Sequence, residues 1–149
     1  MSLITDKVFY NALKSNPDLV AMVGGRIENT AIPVPEEELL NQPVPYIIIA
    51  YDDMQNEKLT KDESYEGDED QVHIRIDVTA SDRETLGDIC IAIRQTVKDY
   101  FENAVEGQSD YELVPLDYKF GAGPVQYDPL VPLFAQSLTY ICETNTDNI

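Results

Sequence analysis

The side chains through which this chain could do chemistry are one histidine, His73, two cysteines, Cys90 and Cys142, and an excess of carboxylates. His73 stands in Gln71-Val72-His73-Ile74-Arg75-Ile76-Asp77, sharing its alternating polar positions with Arg75 and Asp77. A histidine base needs a nucleophile to act on and a third group to orient the imidazole. No Gly-x-Ser-x-Gly elbow occurs anywhere in the sequence, so His73 reads as a solvated residue on a strand. Gly121-Ala122-Gly123 invites a phosphate-loop reading, but Pro124-Val125 follows it where a Walker loop needs Lys-Ser/Thr. It reads as a turn.

The acids offer a metal reading. Asp62, Ser64 and Glu66 place oxygen donors at positions 1, 3 and 5 of a calcium loop, with Gly67 at 6 and Asp70 at 9. Position 12 must then supply a bidentate Glu, and His73 occupies it. A solvated acidic loop is the better reading, with no metal or other cofactor. Catalytic pairing of carboxylates is not selected by the sequence, because with 28 acids proximity along the chain distinguishes none of them. The enzyme class therefore has no positive feature. The two cysteines are too few and too far apart for a disulfide framework or a Cys-x-x-Cys zinc site and read as buried thiols.

Charge narrows the partners. Ten Lys and Arg against 28 Asp and Glu give a net charge of −18, which opposes general binding to nucleic-acid phosphates and to anionic membranes. The start of the sequence carries no basic segment followed by an apolar run. The longest apolar stretch, Tyr46 to Tyr51, is far short of the roughly 20 residues of a membrane span. A cytosolic, soluble chain is expected. The 149 residues, 43% of them hydrophobic, suit one domain over 1–149 that folds without disulfides or metal.

The elements that must position these residues follow from period and punctuation. Ile4, Val8, Ala12 and Leu13 share a helical face, and Asn16-Pro17-Asp18 provides the cap, first-turn proline and early acid of a second helix through Val23. Gly24-Gly25 stops that helix, and Arg26-Ile27-Glu28 enters a short strand. Prolines 33, 35, 43 and 45 make 29–45 a loop. Tyr46 to Tyr51 is β-branched and aromatic, as in a central strand. From Asp52 to Asp70 nine acids and two lysines leave no apolar period, which predicts a long mobile loop or the extended arm of a hairpin.

Val72, Ile74, Ile76, Val78 and Ala80 alternate with polar residues, the signature of a strand buried on one face. Ser81 and Glu84 have capping-box spacing, and Leu86, Ile89, Cys90, Ile93, Val97, Tyr100, Phe101 and Ala104 form one helical stripe that Gly107 ends. That stripe is expected to cover the strand's apolar face. Tyr111 to Tyr118 then reads as a strand, Gly121 to Pro124 as a turn, Leu133 to Glu143 as a final strand, and 144–149 as frayed. The fold class is α+β: a mixed or antiparallel sheet packed against one long helix and short N-terminal helices.

Several of these segments, taken in order, resemble a known family. The run from Ala12 to Ile27, in which a short helix leads into Gly-Gly-Arg-Ile, is similar to the opening of tail-completion, or tail-terminator, proteins of long-tailed bacteriophages and prophages. The strand led by Pro43-Val44-Pro45, the strand Val72 to Ala80 and the long helix from Asp82 continue the same order, so that the resemblance spans about residues 10 to 105. It implies a structural subunit forming a hexameric ring on the last ring of the tail tube. Such a ring stops polymerisation and presents its other face to head-connector proteins. Its partners are then itself, the tube protein and the connector. Its place is the host cytoplasm during assembly and the virion tail afterwards. Asp62, Glu63, Glu66, Asp68, Glu69 and Asp70 are the candidate partner-facing or lumen-facing acids, since a negative wall repels passing DNA. The competing expectation is a small acidic binding module, responsive to calcium or to a partner, without catalysis.

Overall fold

The computed structural model describes residues 2–29, 43–58, 68–107 and 113–145. A 3-10 turn, Ser2–Ile4, leads into α1, Thr5–Lys14, and then α2, Pro17–Met22. Asn16 caps α2 as expected: its side-chain oxygen accepts the amides of Asp18 and Leu19 at 3.1 and 3.5 Å. Its amide nitrogen donates to Oγ1 of Thr96 at 2.9 Å, tying the cap to the long helix. Ile4, placed on the buried face by its spacing, is 43% exposed. The helix begins only after it, so it does not share the helical stripe.

Gly24 and Gly25 end α2 with φ of +59° and +77°, left-handed values that only glycine adopts without strain. A Cβ on Gly24 would stand 2.6 Å from Nη1 of Arg26. Arg26 turns back over that glycine and its Nε donates to the carbonyl of Pro45 at 2.9 Å. The Gly-Gly-Arg-Ile run thus joins the short strand β1, Ile27–Asn29, to the start of β2, Tyr46–Lys58. Ile27 pairs with Ile47 in parallel.

The remaining strands are β3, Asp68–Ala80, β4, Asp117–Ala122, β5, Gln126–Asp128, and β6, Leu133–Asn145. The sheet order is β1-β2-β3-β6-β4, with β5 also on β6. Every pairing except β1 with β2 is antiparallel, so the sheet is mixed. One helix of twenty residues, α3, Arg83–Glu102, follows β3. Its cap is Asp82, not Ser81: the Asp82 carboxylate accepts the amide and the hydroxyl of Thr85, both at 2.8 Å. The helix closes at Asn103, ahead of Gly107, which lies in the following turn with φ +95°.

The core lies between the helices and one face of the sheet. Leu86, Ile89, Ile93 and Val97 of α3 are buried in the same cluster as Val72, Ile74, Ile76 and Val78 of β3, with Val8, Phe9 and Leu13 of α1 beside them. Cover and strand meet as their periods require. An aromatic group closes one end: Phe9 meets Phe101 edge-on at 5.3 Å and Tyr140 at 4.9 Å, and the guanidinium of Arg94 lies 4.5 Å from the centre of Phe120.

Four boundaries differ from the expectation. β2 does not stop at Tyr51: it runs on to Lys58, paired with β3 throughout. The acidic stretch is therefore the extended arm of a hairpin over its described residues, held by ladder hydrogen bonds that need no apolar period. The strand expected over Tyr111 to Tyr118 begins at Asp117, beyond Pro115, which cannot donate to a ladder. Gly121 and Ala122, expected in a turn, are the last residues of β4 and pair with Thr139 and Leu138. At the other end Thr144 is buried and paired with Asp70 instead of frayed; 146–149 lie outside the described residues.

Candidate functional site

Helices cover one face of the sheet, and the polar residues of β3 mark the other. At its centre β2 carries a bulge: Tyr51 opposes Ile74 and Asp53 opposes His73, which leaves Asp52 as the extra residue. A single extra residue re-aims the side chains around it. Here it brings both carboxylates to the polar face, where Asp53 meets Nδ1 of His73 at 2.8 Å and Asp52 meets Arg75 at 3.1 Å. Arg75 also reaches Asp77 at 3.1 Å, and Asp77 accepts the hydroxyl of Ser137 at 2.6 Å across to β6. These groups are partly exposed, and ion pairs so placed stabilise weakly, by about 0–1 kcal/mol each. They link β2, β3 and β6 across the polar face. His73 is thus on the polar face, as its position in the alternation predicts, and paired with Asp53.

The same face hollows towards the β5–β6 hairpin. A shallow depression of ≈ 550 Å³ is lined by Tyr46, Thr79, Val131, Leu133 and Ala135 among others. A neighbouring one of ≈ 420 Å³ runs to Arg75 and Asp77. Beside them the hairpin turn Asp128-Pro129-Leu130-Val131-Pro132 leaves Leu130 91% exposed and Tyr127 52% exposed.

The acidic candidates divide. Asp62, Glu63 and Glu66 lie outside the described residues. Asp68 and Glu69 open β3, opposite Lys58 and Glu57. Asp70 departs from the solvated-loop reading: it is fully buried and accepts from the side-chain amide of Asn56 at 2.6 Å. Of the two thiols, Cys142 is buried and Cys90 half-buried. Burial pushes the Cys142 thiol up to about 12; burial, partly offset by Arg83, pushes Cys90 up to about 11. Both stay protonated and unreactive at neutral pH. Among the described residues no group of three or more His, Cys, Asp or Glu could hold a metal ion, and no helix is long and apolar enough to cross a membrane.

The comparison that decides between these features is with protein families. The model of the family described as Tail completion protein gp17 matches residues 7–110. The chain belongs to that family. The matched span holds most of α1, then α2, the Gly-Gly-Arg-Ile join, β1, β2, β3 and α3, and ends before β4. A likeness of fold extends further along the chain than the family match. A chain from a structure described as "Virion of native gene transfer agent (GTA) particle" is similar over 94% of this chain and 93% of its own, with a TM-score of 0.65 at 13% identity. That likeness is one of fold, and at 94% of the chain it reaches past the residues that the family model matches. No curated protein matches the chain in sequence.

A tail-completion protein is a structural component of a phage tail. Sequence reasoning missed two features of this surface. The Asp52–Arg75–Asp77–Ser137 line depends on a bulge, and no residue type near Tyr51 signals one. The hairpin turn was legible in principle: two prolines bracket Leu130-Val131 with no basic residue near, a pattern that holds apolar side chains at a tip and not in a strand.

Proposed function

We propose that this chain closes into a hexameric ring on the last ring of the tail tube, stops its polymerisation there, and offers its other face to head-connector proteins. The observation that supports it is the tail-completion match over residues 7–110, which hold the helices and the first three strands. A rigid two-layer body with polar and apolar surface at the strand ends suits such a part, and the reading assigns it no chemistry. It acts in the bacterial cytoplasm during assembly and stays in the virion tail. In the ring, the arm carrying Asp62, Glu63, Glu66, Asp68 and Glu69 faces the lumen or a partner, and Asp70 instead anchors its base.

Charge makes closure dependent on salt. Copies at −18 each repel, and the screening length falls from about 30 Å at 0.01 M to about 8 Å at 0.15 M. Mass measurement across a salt series is expected to show monomers or weak oligomers in the dilute buffer and six-fold particles as ionic strength rises or tube ends are added. A hexamer unchanged at the lowest salt would remove the charge argument; a strict monomer throughout, tube protein included, would remove the ring.

A further inference from the structure

We infer that the β5–β6 hairpin tip is the self-contact of this protein: Leu130 of one copy seats in the depression beside the hairpin of the next. The inference rests on the ring reading and names the surface that closes it. Copies at −18 each can approach closely only where they carry little charge, since like charges brought together in a poorly solvated contact repel strongly. Between Lys119 and Glu143 the chain has one charged residue, Asp128, in 23, where its average of 26% would place about six. That run builds the tip and much of the depression's lining.

The tip is also preformed. Asp128 accepts the amide of Leu130 at 2.9 Å, and the Tyr127 and Phe134 rings, paired across the hairpin, lie 4.6 Å apart. A contact made by a rigid element loses less conformational entropy on association. Leu130 is 91% exposed and takes no part in lining the depression, which Pro129, Val131 and Leu133 border. Knob and socket thus share one hairpin but use different side chains. A contact between two different patches is heterologous and continues from copy to copy, closing into a ring when the rotation allows. A copy that met its neighbour through Leu130 alone would stop at a dimer.

The test uses the full chain under conditions where the wild type assembles. Leu130→Asp changes an exposed side chain, so in dilute low-salt buffer, where the wild type is not assembled, its melting temperature should equal that of the wild type; where the wild type assembles, the variant's assembly should weaken at least about tenfold, because a buried carboxylate is left unpaired. In a second measurement, Leu130→Cys and Gln126→Cys chains, one carrying a mass tag, are mixed and oxidised, with the wild type as the control for Cys90 and Cys142. Mixed-variant disulfides are expected. Wild-type rings with an unaffected Leu130→Asp overturn this contact and leave the ring reading standing. Leu130→Asp rings that no longer sit on tubes assign the tip to the tube protein and overturn it equally. Only same-variant Leu130→Cys disulfides make the contact two-fold and overturn it too. A wild type that never assembles removes the ring reading and this contact together.

Discussion

Gly24 works through its backbone and through what it makes room for. At φ +59°, with the Arg26 guanidinium where a Cβ would stand, any side chain meets both left-handed strain and a displaced arginine. Gly24→Ala should therefore cost roughly 1–2 kcal/mol for the conformation alone, and a denaturant melt is the check; Gly25→Ala, whose Cβ would meet nothing, should cost only the conformational part. The Asp82 cap gives a dependence on pH. The amide and hydroxyl of Thr85 hold its carboxyl below the ordinary 3.8, an effect that slight desolvation opposes. A group lowered on folding contributes stability above its unfolded value and loses it as pH falls through the folded one. The gap in melting temperature between the wild type and Asp82→Ala should accordingly be constant at neutral and mildly acid pH and shrink below 3.8. A gap that holds unchanged into strong acid would mean that the carboxylate's charge is not what caps α3.

At the scale of elements, the long helix and the strand before it carry the fold. Ile93 is fully buried against β3, so Ile93→Asp should cost several kcal/mol, comparable with the roughly 5–15 kcal/mol that a whole domain has. Ile93→Val, removing one methylene, should cost about 0.5–1.5 kcal/mol. A soluble Ile93→Asp chain melting like the wild type would contradict the packing. These two elements were legible because burial on one face imprints a period: two for Val72 to Ala80, and a helical stripe from Leu86 to Val97. Asn16-Pro17 and Gly24-Gly25 were legible because capping and positive φ select residue types. For the stretch from Asp52 the sequence left two readings, a mobile loop or the extended arm of a hairpin, because the backbone ladder bonds to β3 that make 52–58 an arm permit any side chain. The same holds for Gly121 and Ala122, where pairing with β6 overrides turn-like composition. The polar line through Arg75 was hidden for a third reason: it assembles residues from three strands through a bulge, and registers between distant strands leave no local mark.

For the whole molecule, the balance is between a strongly negative body and a charge-poor hairpin. In the proposed ring the body keeps free copies apart and the hairpin lets them meet once ions or a tube end screen the repulsion. In the proposed function, membership of the tail-completion family puts that meeting at the end of a growing tube. Its fold, shared with a chain of the gene transfer agent virion, supplies the rigid frame on which both surfaces sit. The most direct measurement of the central claim is therefore tube length. Purified tube protein is polymerised with increasing amounts of this chain, and lengths are read by electron microscopy. The account predicts that tubes shorten and stop as the chain is added, each bearing a six-fold cap at one end. Tubes that grow to the same lengths with a saturating amount of the chain, their ends bare, would contradict it.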